Sequence, residues 1–306
     1  MGYYFVDRIL SIERGTAGKG SFRARGVKAV SGGDAFLREV GGGEPGLSPS
    51  FLAEAVGQLA AWVAMSETSF RRRPVAGLTA EVRVRGSARA GDQVMLSVEI
   101  ESLDEDAVHY HGEALLEGVP IVTLSHSLGP MLPLENFEDP REAEGTFRQL
   151  LRPDEGEFGT EPPPVHRERP GSTGPLPARS LDHPAIDAIL ERDADRLLAL
   201  TCVSRSAPYL TGHFPRDPVL PATLLFDAQV ALACELAAAK SGGRTFHVSR
   251  LLDLKMRDFV RPGSRLISEV RLRDRGETMV SAQLTGRLGD RVVSSGRVEL
   301  IPAGAR

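Results

Sequence analysis

A histidine on a stiff loop is the first feature of this sequence that could do chemistry. His213 lies in the segment 212–221, which reads Gly-His-Phe-Pro-Arg-Asp-Pro-Val-Leu-Pro. Its three prolines restrict the backbone, which suits a side chain that must be held in one orientation. The nearly all-apolar segment 222–239 follows and is predicted to be a buried helix, with Asp227 as the only carboxylate in its first two turns. This combination is typical of general acid–base chemistry.

A second carboxylate lies on another apolar helix, early in the chain. Ser48 and a proline after it predict a helix start, and residues 51–65 are apolar almost all round. Glu54 and Gln58 interrupt this pattern at i and i+4, so they share one face. A carboxyl group buried there without a charged partner would take up a proton. Facing an imidazole, it would complete an acid–base pair.

The segment from His213 to Asp227 resembles the active-site signature of the bacterial 3-hydroxyacyl-acyl-carrier-protein dehydratases. The dehydratase-isomerase branch reads His-Phe, then Gly-Asp-Pro-Val-Met-Pro-Gly, then an aspartate on the buried helix. Arg216 and Ala222 stand where that branch has glycine. Residues 54–58, Glu-Ala-Val-Gly-Gln, resemble the Glu-Ala-Met-Ala-Gln segment of the other branch. The resemblance implies a hotdog fold, in which a curved antiparallel sheet wraps one helix.

The two helices belong to two similar halves of the chain. A turn at 89–92 and a turn at 261–264 follow the same pattern, and their glycines lie 172 residues apart (263 − 91). Alternating apolar segments after each helix predict antiparallel strands. The sequence therefore predicts an α+β double hotdog with a first unit at 1–135, a proline-rich linker at 136–180 and a second unit at 181–306.

The resemblance also implies which residues would form the site. In that family a site takes its histidine from one hotdog and its carboxylate from the other, which pairs His213 with Glu54. Asp227 would then face no histidine, so one working site is expected per chain, with a second pocket that is vestigial or structural. For Asp227 itself, a structural role and a role in chemistry remain equal alternatives. The predicted substrate-binding residues are Phe214, Gln58, Ala222 and Thr223.

The predicted activity is that of a hydro-lyase, in which a 3-hydroxyacyl thioester loses water to give a trans-2-enoyl thioester. His213 would take the α-proton, Glu54 would protonate the departing hydroxyl, and a backbone N–H near Ala222 or Thr223 would polarise the carbonyl. The resemblance implies no metal or redox cofactor, since the substrate is carried on the phosphopantetheine of an acyl carrier protein or on coenzyme A. Expected partners are that carrier protein, other synthase subunits and, alternatively, a second copy of the chain.

Two other functions remain open. A hotdog thioesterase would use a carboxylate and water, although the proline loop with His213 argues against it. A catalytically inactive relative that binds acyl carrier protein is the other alternative, because the first half has no histidine before His109. His109, His111 and Glu113 share a strand face, where a solvated surface is favoured over a metal site. The arginines at 71–73 are interpreted as a solvated turn, with carrier-protein docking as the alternative.

Composition limits the remaining classes. The chain has 306 residues, 41% hydrophobic and 25% charged, with a formal net charge of −4. These values are typical of a globular protein and give no overall electrostatic footprint for nucleic acid or membrane. Two cysteines and the lack of a charged-then-apolar opening segment favour a reducing, cytoplasmic setting.

Overall fold

The computed structural model describes residues 3–15, 20–30, 36–39, 45–153, 183–203, 207–276 and 278–303. The strands of the first half are β1 Arg8–Arg14, β2 Phe22–Ala29, β3 Leu37–Glu39, β4 Pro45–Leu47, β5 Arg72–Pro74, β6 Leu78–Val84, β7 Ala88–Arg89, β8 Gln93–Leu103, β9 Ala107–Leu116 and β10 Val119–Pro133. Those of the second half are β11 Ala188–Arg192, β12 Arg196–Cys202, β13 Phe246–Met256, β14 Arg265–Arg275, β15 Val280–Leu288 and β16 Arg291–Pro302. The helices are α1 Pro49–Glu67, α2 Pro140–Leu150 and α3 Ala222–Lys240.

The two halves share one antiparallel sheet. Its thirteen described strands run in the order β1-β2-β8-β9-β10-β6-β13-β16-β15-β14-β12-β11, with β5 on β10. The halves join where β6 pairs with β13, with Val82 opposite Leu251. Both residues are almost fully buried, so the joint is apolar on its inner face. The predicted α+β double hotdog with one continuous sheet is confirmed.

Each half wraps its sheet around one long helix. The Ser48 hydroxyl caps α1 by accepting a hydrogen bond from the Ser50 amide, and Pro49 occupies the first turn. Eleven residues of α1 and eleven of α3 are buried, which explains why neither sequence shows a polar stripe. By length and composition α3 could cross a membrane, yet 61% of its most apolar window is buried inside the protein. It is the core helix of the second half.

Residues 136–153 are ordered parts of the fold, although the sequence assigned them to the start of the linker. A 3-10 turn at Leu134–Asn136 leads into α2. The α2 residue Phe147 packs on Trp62 and Phe70, with ring centroids 6.3 and 5.6 Å apart. Apolar contacts with α1 thus hold this segment on the first half. Residues 154–180, the rest of the predicted linker, lie outside the described residues.

Candidate active site

Glu54 is held by hydrogen bonds from both halves of the chain. It lies in the second turn of α1, half-buried, where its carboxylate accepts from the hydroxyl of Thr223 at the start of α3. The Gln58 amide, one turn further along α1, donates to the other carboxylate oxygen at 2.9 Å. Gln58 in turn accepts from the Phe5 amide at 2.8 Å and donates to the Tyr3 carbonyl at 3.1 Å. The Glu54 carboxyl group is therefore held by two polar, uncharged side chains.

His213 is fixed by its loop, and only one of its ring nitrogens, Nδ1, has a hydrogen-bond partner among the residues that the structure describes. Its Nδ1 lies 2.9 Å from the Val219 carbonyl oxygen, which can only accept, so Nδ1 carries the proton. Nε2 of the neutral ring is then unprotonated and can act as a base. The ring stacks on Phe214 at 4.4 Å, and the Tyr3 ring contacts it edge-on at 5.0 Å. These contacts hold the imidazole in one orientation.

The surroundings of His213 favour its neutral form. Burial lowers its pKa from 6.5 to about 3; the hydrogen bond to Val219 opposes this shift, and the nearby Arg73 charge adds to it. A base must be unprotonated to act, so the site keeps this imidazole ready over the whole neutral range.

This pKa predicts a pH dependence of activity and of stability. The native ring stays neutral as the pH falls, so we expect no loss of the base at pH 6.5; its loss should come only towards pH 3. The unfolded chain, in contrast, binds the proton from about pH 6.5 downward, so this group should make the fold less stable as the pH falls through that window. Initial rates of thioester dehydration at constant ionic strength, with unfolding curves at each pH, would measure both. Half-loss of activity near pH 6.5 in folded protein would contradict the prediction.

Arg216 connects the loop that carries His213 to the segment that follows β10. Its backbone amide donates to the Phe137 carbonyl at 2.6 Å. Its guanidinium donates to the Glu135 carbonyl at 3.1 Å and to the Asp139 carboxylate at 3.0 Å. The resembled signature has glycine at this position, so the departure noted in the sequence adds contacts between the two halves.

Phe214 is held on several sides in a strained conformation. Its φ is 56°, in the left-handed region that residues other than glycine rarely adopt. The Phe137 ring packs on it at 4.5 Å, and the Arg73 guanidinium lies over its face at 4.5 Å. Because Phe214 stacks on His213, this packing also orients the base.

We expect Arg216→Ala to lower kcat about tenfold with little change in KM, because loss of its contacts lets the loop shift while the cavity stays open. Steady-state kinetics and thermal melts would measure this. Arg148→Ala is a suitable control, since Arg148 makes an exposed ion pair with Glu144 on α2. A change confined to KM, or an unchanged kcat, would refute a positioning role for Arg216.

One cavity brings most of the predicted site residues together. It measures about 470 Å³ and lies between the halves. Its lining includes six of the seven predicted site residues, all except Asp227: Glu54, Gln58, His213, Phe214, Ala222 and Thr223. Apolar side chains from α1, β6 and β13, among them Trp62, Val82 and Leu254, line its remaining wall. The cavity can therefore hold a polar group beside an apolar chain.

Asp227 lies in a separate buried network and contacts a histidine. His183 donates from Nε2 to the Asp227 carboxylate at 3.0 Å and accepts from the Ala185 amide on Nδ1 at 3.1 Å. The Ser48 hydroxyl donates to the other Asp227 oxygen. The expectation that Asp227 faces no histidine is therefore wrong. His183 precedes the second-half signature, where no motif marks it.

We expect Asp227→Asn to act on stability and to leave dehydration within a few-fold of the unmodified rate. Loss of the charge-assisted bond from His183 inside the protein should cost about 1–3 kcal/mol of the free energy of unfolding. Denaturant unfolding and turnover, measured on one preparation, would test this. An inactive but fully stable variant would instead place Asp227 in the chemistry.

The sequence missed two residues of the cavity wall. Arg73, interpreted as part of a solvated turn, is largely buried on β5 and pairs with the Glu138 carboxylate. Tyr110, on β9, lines the cavity; burial raises the pKa of its hydroxyl to about 12. A small residue, Gly57, faces the Tyr110 hydroxyl, which would lie 3.2 Å from a Cβ at that position. Neither residue is marked by a motif, because strand contacts alone bring them to the cavity.

The alternative metal site on β9 is not formed. Within the described ranges, no group of three or more histidine, cysteine, aspartate or glutamate side chains could hold a metal ion. His111 instead pairs with Glu101, at 3.0 Å.

Two sequence comparisons match parts of this chain to dehydratases. Residues 190–297 match a family model described as ApeI-like, ApeI dehydratase. A 3-hydroxyacyl-[acyl-carrier-protein] dehydratase FabZ of Thermotoga petrophila is 31% identical over 117 residues, which cover 38% of this chain and 83% of that protein.

Two solved structures show the same fold over nearly the whole chain. One is a structure assigned as an oleoyl thioesterase of Lactobacillus plantarum, with a TM-score of 0.58, 9% identity, and coverage of 94% of this chain and 99% of that chain. The other is the dehydratase domain of PpsC from Mycobacterium tuberculosis in complex with C12:1-CoA, with a TM-score of 0.50, 10% identity, and coverage of 99% and 100%. At these identities the likenesses carry the fold and no more.

Proposed function

Since this chain belongs to the hotdog-fold 3-hydroxyacyl-acyl-carrier-protein dehydratase family, we propose that it converts a 3-hydroxyacyl thioester into a trans-2-enoyl thioester with loss of water. The observation that carries the proposal is one cavity shared by His213, with a free Nε2, and the Glu54 carboxyl group. An elimination needs both a base for the α-proton and an acid for the leaving hydroxyl.

In the proposed reaction the electron pair moves from the α-carbon towards the β-carbon. His213 Nε2 takes the α-proton, and the released pair forms the double bond as the bond between the β-carbon and its oxygen breaks. Glu54, in its protonated form, donates its proton to the departing oxygen, which leaves as water. The imidazolium then returns a proton to Glu54 and resets the site. Thr223 and Gln58 orient the Glu54 carboxyl group throughout.

The thioester carbonyl would bind at the start of α3. The first amides of a helix have no partner within the helix and carry partial positive charge. Ala222 and Thr223 supply these amides on the cavity wall. They would stabilise the negative charge that develops on the carbonyl oxygen when the α-proton leaves.

The substrate would arrive on a pantetheine arm and needs no resident cofactor. The apolar wall of the cavity, which includes Trp62 and Leu254, suits an acyl chain. The family relationship supports an acyl carrier protein as the donor, with coenzyme A as the alternative carrier. The exposed Arg71, beside Arg72, would offer an acidic carrier positive charge.

One experiment separates this proposal from its alternatives. The purified chain is incubated with 3-hydroxyoctanoyl-pantetheine, while enoyl absorbance and free thiol are followed together. We expect enoyl absorbance to rise without thiol release. Thiol release without enoyl product would favour a thioesterase, in which Glu54 activates water. Binding without either product would indicate an inactive relative that holds acyl thioesters.

A further inference from the structure

Tyr3 lies between the proposed base and the proposed acid. Its backbone amide donates to the Thr211 carbonyl at 3.1 Å, beside the loop of His213. Its backbone carbonyl accepts from Gln58, the residue that orients Glu54. Its ring contacts the His213 ring edge-on, and the residue lines the cavity. The Tyr3 side chain is therefore part of the wall that surrounds the reacting groups.

The Tyr3 hydroxyl lies near the Thr223 side chain but has no hydrogen-bond partner of ordinary geometry among the described residues. The residue is 3% exposed, and its Oη makes no hydrogen bond to any of the residues that the structure describes. The neighbouring Thr223 hydroxyl donates to Glu54. Leaving a buried hydroxyl unpaired is unfavourable, so such an atom calls for an explanation. A ligand oxygen in the cavity would supply the missing acceptor.

The hydroxyl remains a donor at any pH where the protein would work. Burial raises the pKa of Tyr3 well above its usual value, and the nearby Glu54 charge raises it further, while a hydrogen-bonding contact with the Thr223 side chain, outside ordinary geometry, lowers it. A protonated phenol can donate its hydrogen.

The position in the second half that corresponds to Tyr3 is occupied by His183, whose ring donates a hydrogen bond. Tyr3 and His183 each precede by four residues an aspartate that binds the sheet in the same way. In the first half the Asp7 amide donates to the Val27 carbonyl at 2.8 Å, and the Asp7 carboxylate accepts from the Ala29 amide at 2.7 Å. In the second half the Asp187 amide donates to the Leu200 carbonyl at 2.9 Å, and the Asp187 carboxylate accepts from the Cys202 amide at 2.5 Å. His183 donates directly to the helix carboxylate of its half, Asp227. Tyr3 occupies the corresponding position in the first half, beside Glu54, but its hydroxyl donates no hydrogen bond of ordinary geometry to a described residue.

We propose that the Tyr3 hydroxyl donates a hydrogen bond to the β-hydroxyl oxygen of the bound 3-hydroxyacyl thioester, beside Glu54. The inference rests on the proposed function and adds a third group to the site. The bond would hold the leaving oxygen against the Glu54 carboxyl and would persist to the departing water, so Tyr3 would support both binding and elimination.

Tyr3→Phe removes the hydroxyl and keeps the ring that contacts His213. We expect kcat/KM for dehydration to fall about 10- to 100-fold, as for loss of a substrate hydrogen bond in a closed site. We expect the midpoint of urea unfolding to stay the same or rise, because an unpaired buried hydroxyl is removed. Tyr209→Phe is the matched control, since Tyr209 is also buried but contributes nothing to the cavity lining described above.

A pair of inert ligands tests the contact itself. S-(3-hydroxyoctyl)pantetheine and S-octylpantetheine differ only in the hydroxyl, and neither can eliminate because neither has a carbonyl beside its α-carbon. Calorimetry should show that the unmodified protein binds the hydroxylated ligand about tenfold more tightly, and that Tyr3→Phe loses this preference.

The results separate the two hypotheses. If the unmodified protein neither dehydrates the thioester nor binds these ligands, the proposed function fails and the inference falls with it. If the unmodified protein is active but Tyr3→Phe keeps both its rate and its preference for the hydroxyl, the Tyr3 inference alone is overturned. A lower unfolding midpoint for Tyr3→Phe would also overturn it, because the hydroxyl would then have a partner inside the protein.

Discussion

His213→Ala should reduce dehydration by about 10²–10⁴-fold, the usual effect of losing a general base. The cavity would keep its volume and its acid, yet no other described histidine among its lining residues could take the α-proton. His183 cannot substitute, because it is buried and bound to Asp227. Initial rates of enoyl formation on a 3-hydroxyacyl thioester measure the loss. Since the change opens space at the ring position, added imidazole should restore part of the rate.

A matched control distinguishes loss of the base from loss of the fold. His111→Ala removes an exposed imidazole that pairs with Glu101, so its activity should stay at the unmodified level. Thermal melts of both variants verify folding. A His213→Ala protein with normal turnover would show that another group takes the α-proton.

Glu54→Gln should be similarly damaging, with about a 10²–10⁴-fold lower rate. The amide has nearly the shape of the carboxyl group and can accept from Thr223, but it cannot deliver an acid proton to the leaving oxygen. Substrate binding should change little, so the loss should be in kcat. Stopped-flow enoyl absorbance with saturating substrate measures this directly.

The control for Glu54→Gln lies on the same helix. Glu67→Gln alters a carboxylate at the end of α1 that pairs with Arg14 at 3.7 Å, far along the helix from the site. It should retain full activity. The opposite pattern, an active Glu54→Gln with an inactive Asp227→Asn, would place the acid in the same half as the base and would refute the pairing across halves.

Local patterns in the sequence determined the elements and much of the site. The apolar runs around Glu54 and Asp227 predicted α1 and α3, because a helix apolar all round must be buried. The hairpin turn at Glu117-Gly118 is equally local, because both residues have the positive φ values that such a turn requires. The signature around His213, read by resemblance, indicated which side chains would share a cavity. These are properties of short segments, which their own residues specify.

Contacts between distant segments were decided only by the tertiary structure. Thr223 donates a hydrogen bond to Glu54, which lies 169 residues earlier in the chain. Tyr3, near the start of the sequence, contacts the ring of His213. The pairing of His183 with Asp227 could not be predicted, because His183 lies outside any motif, in the segment that leads into β11. Side-chain contacts between the halves depend on how the two halves of the sheet join, and the pairing of β6 with β13 fixes that geometry. Spacing along a chain carries no information about such a joint, so the sequence indicated which groups we propose to react, and only the fold showed what holds them.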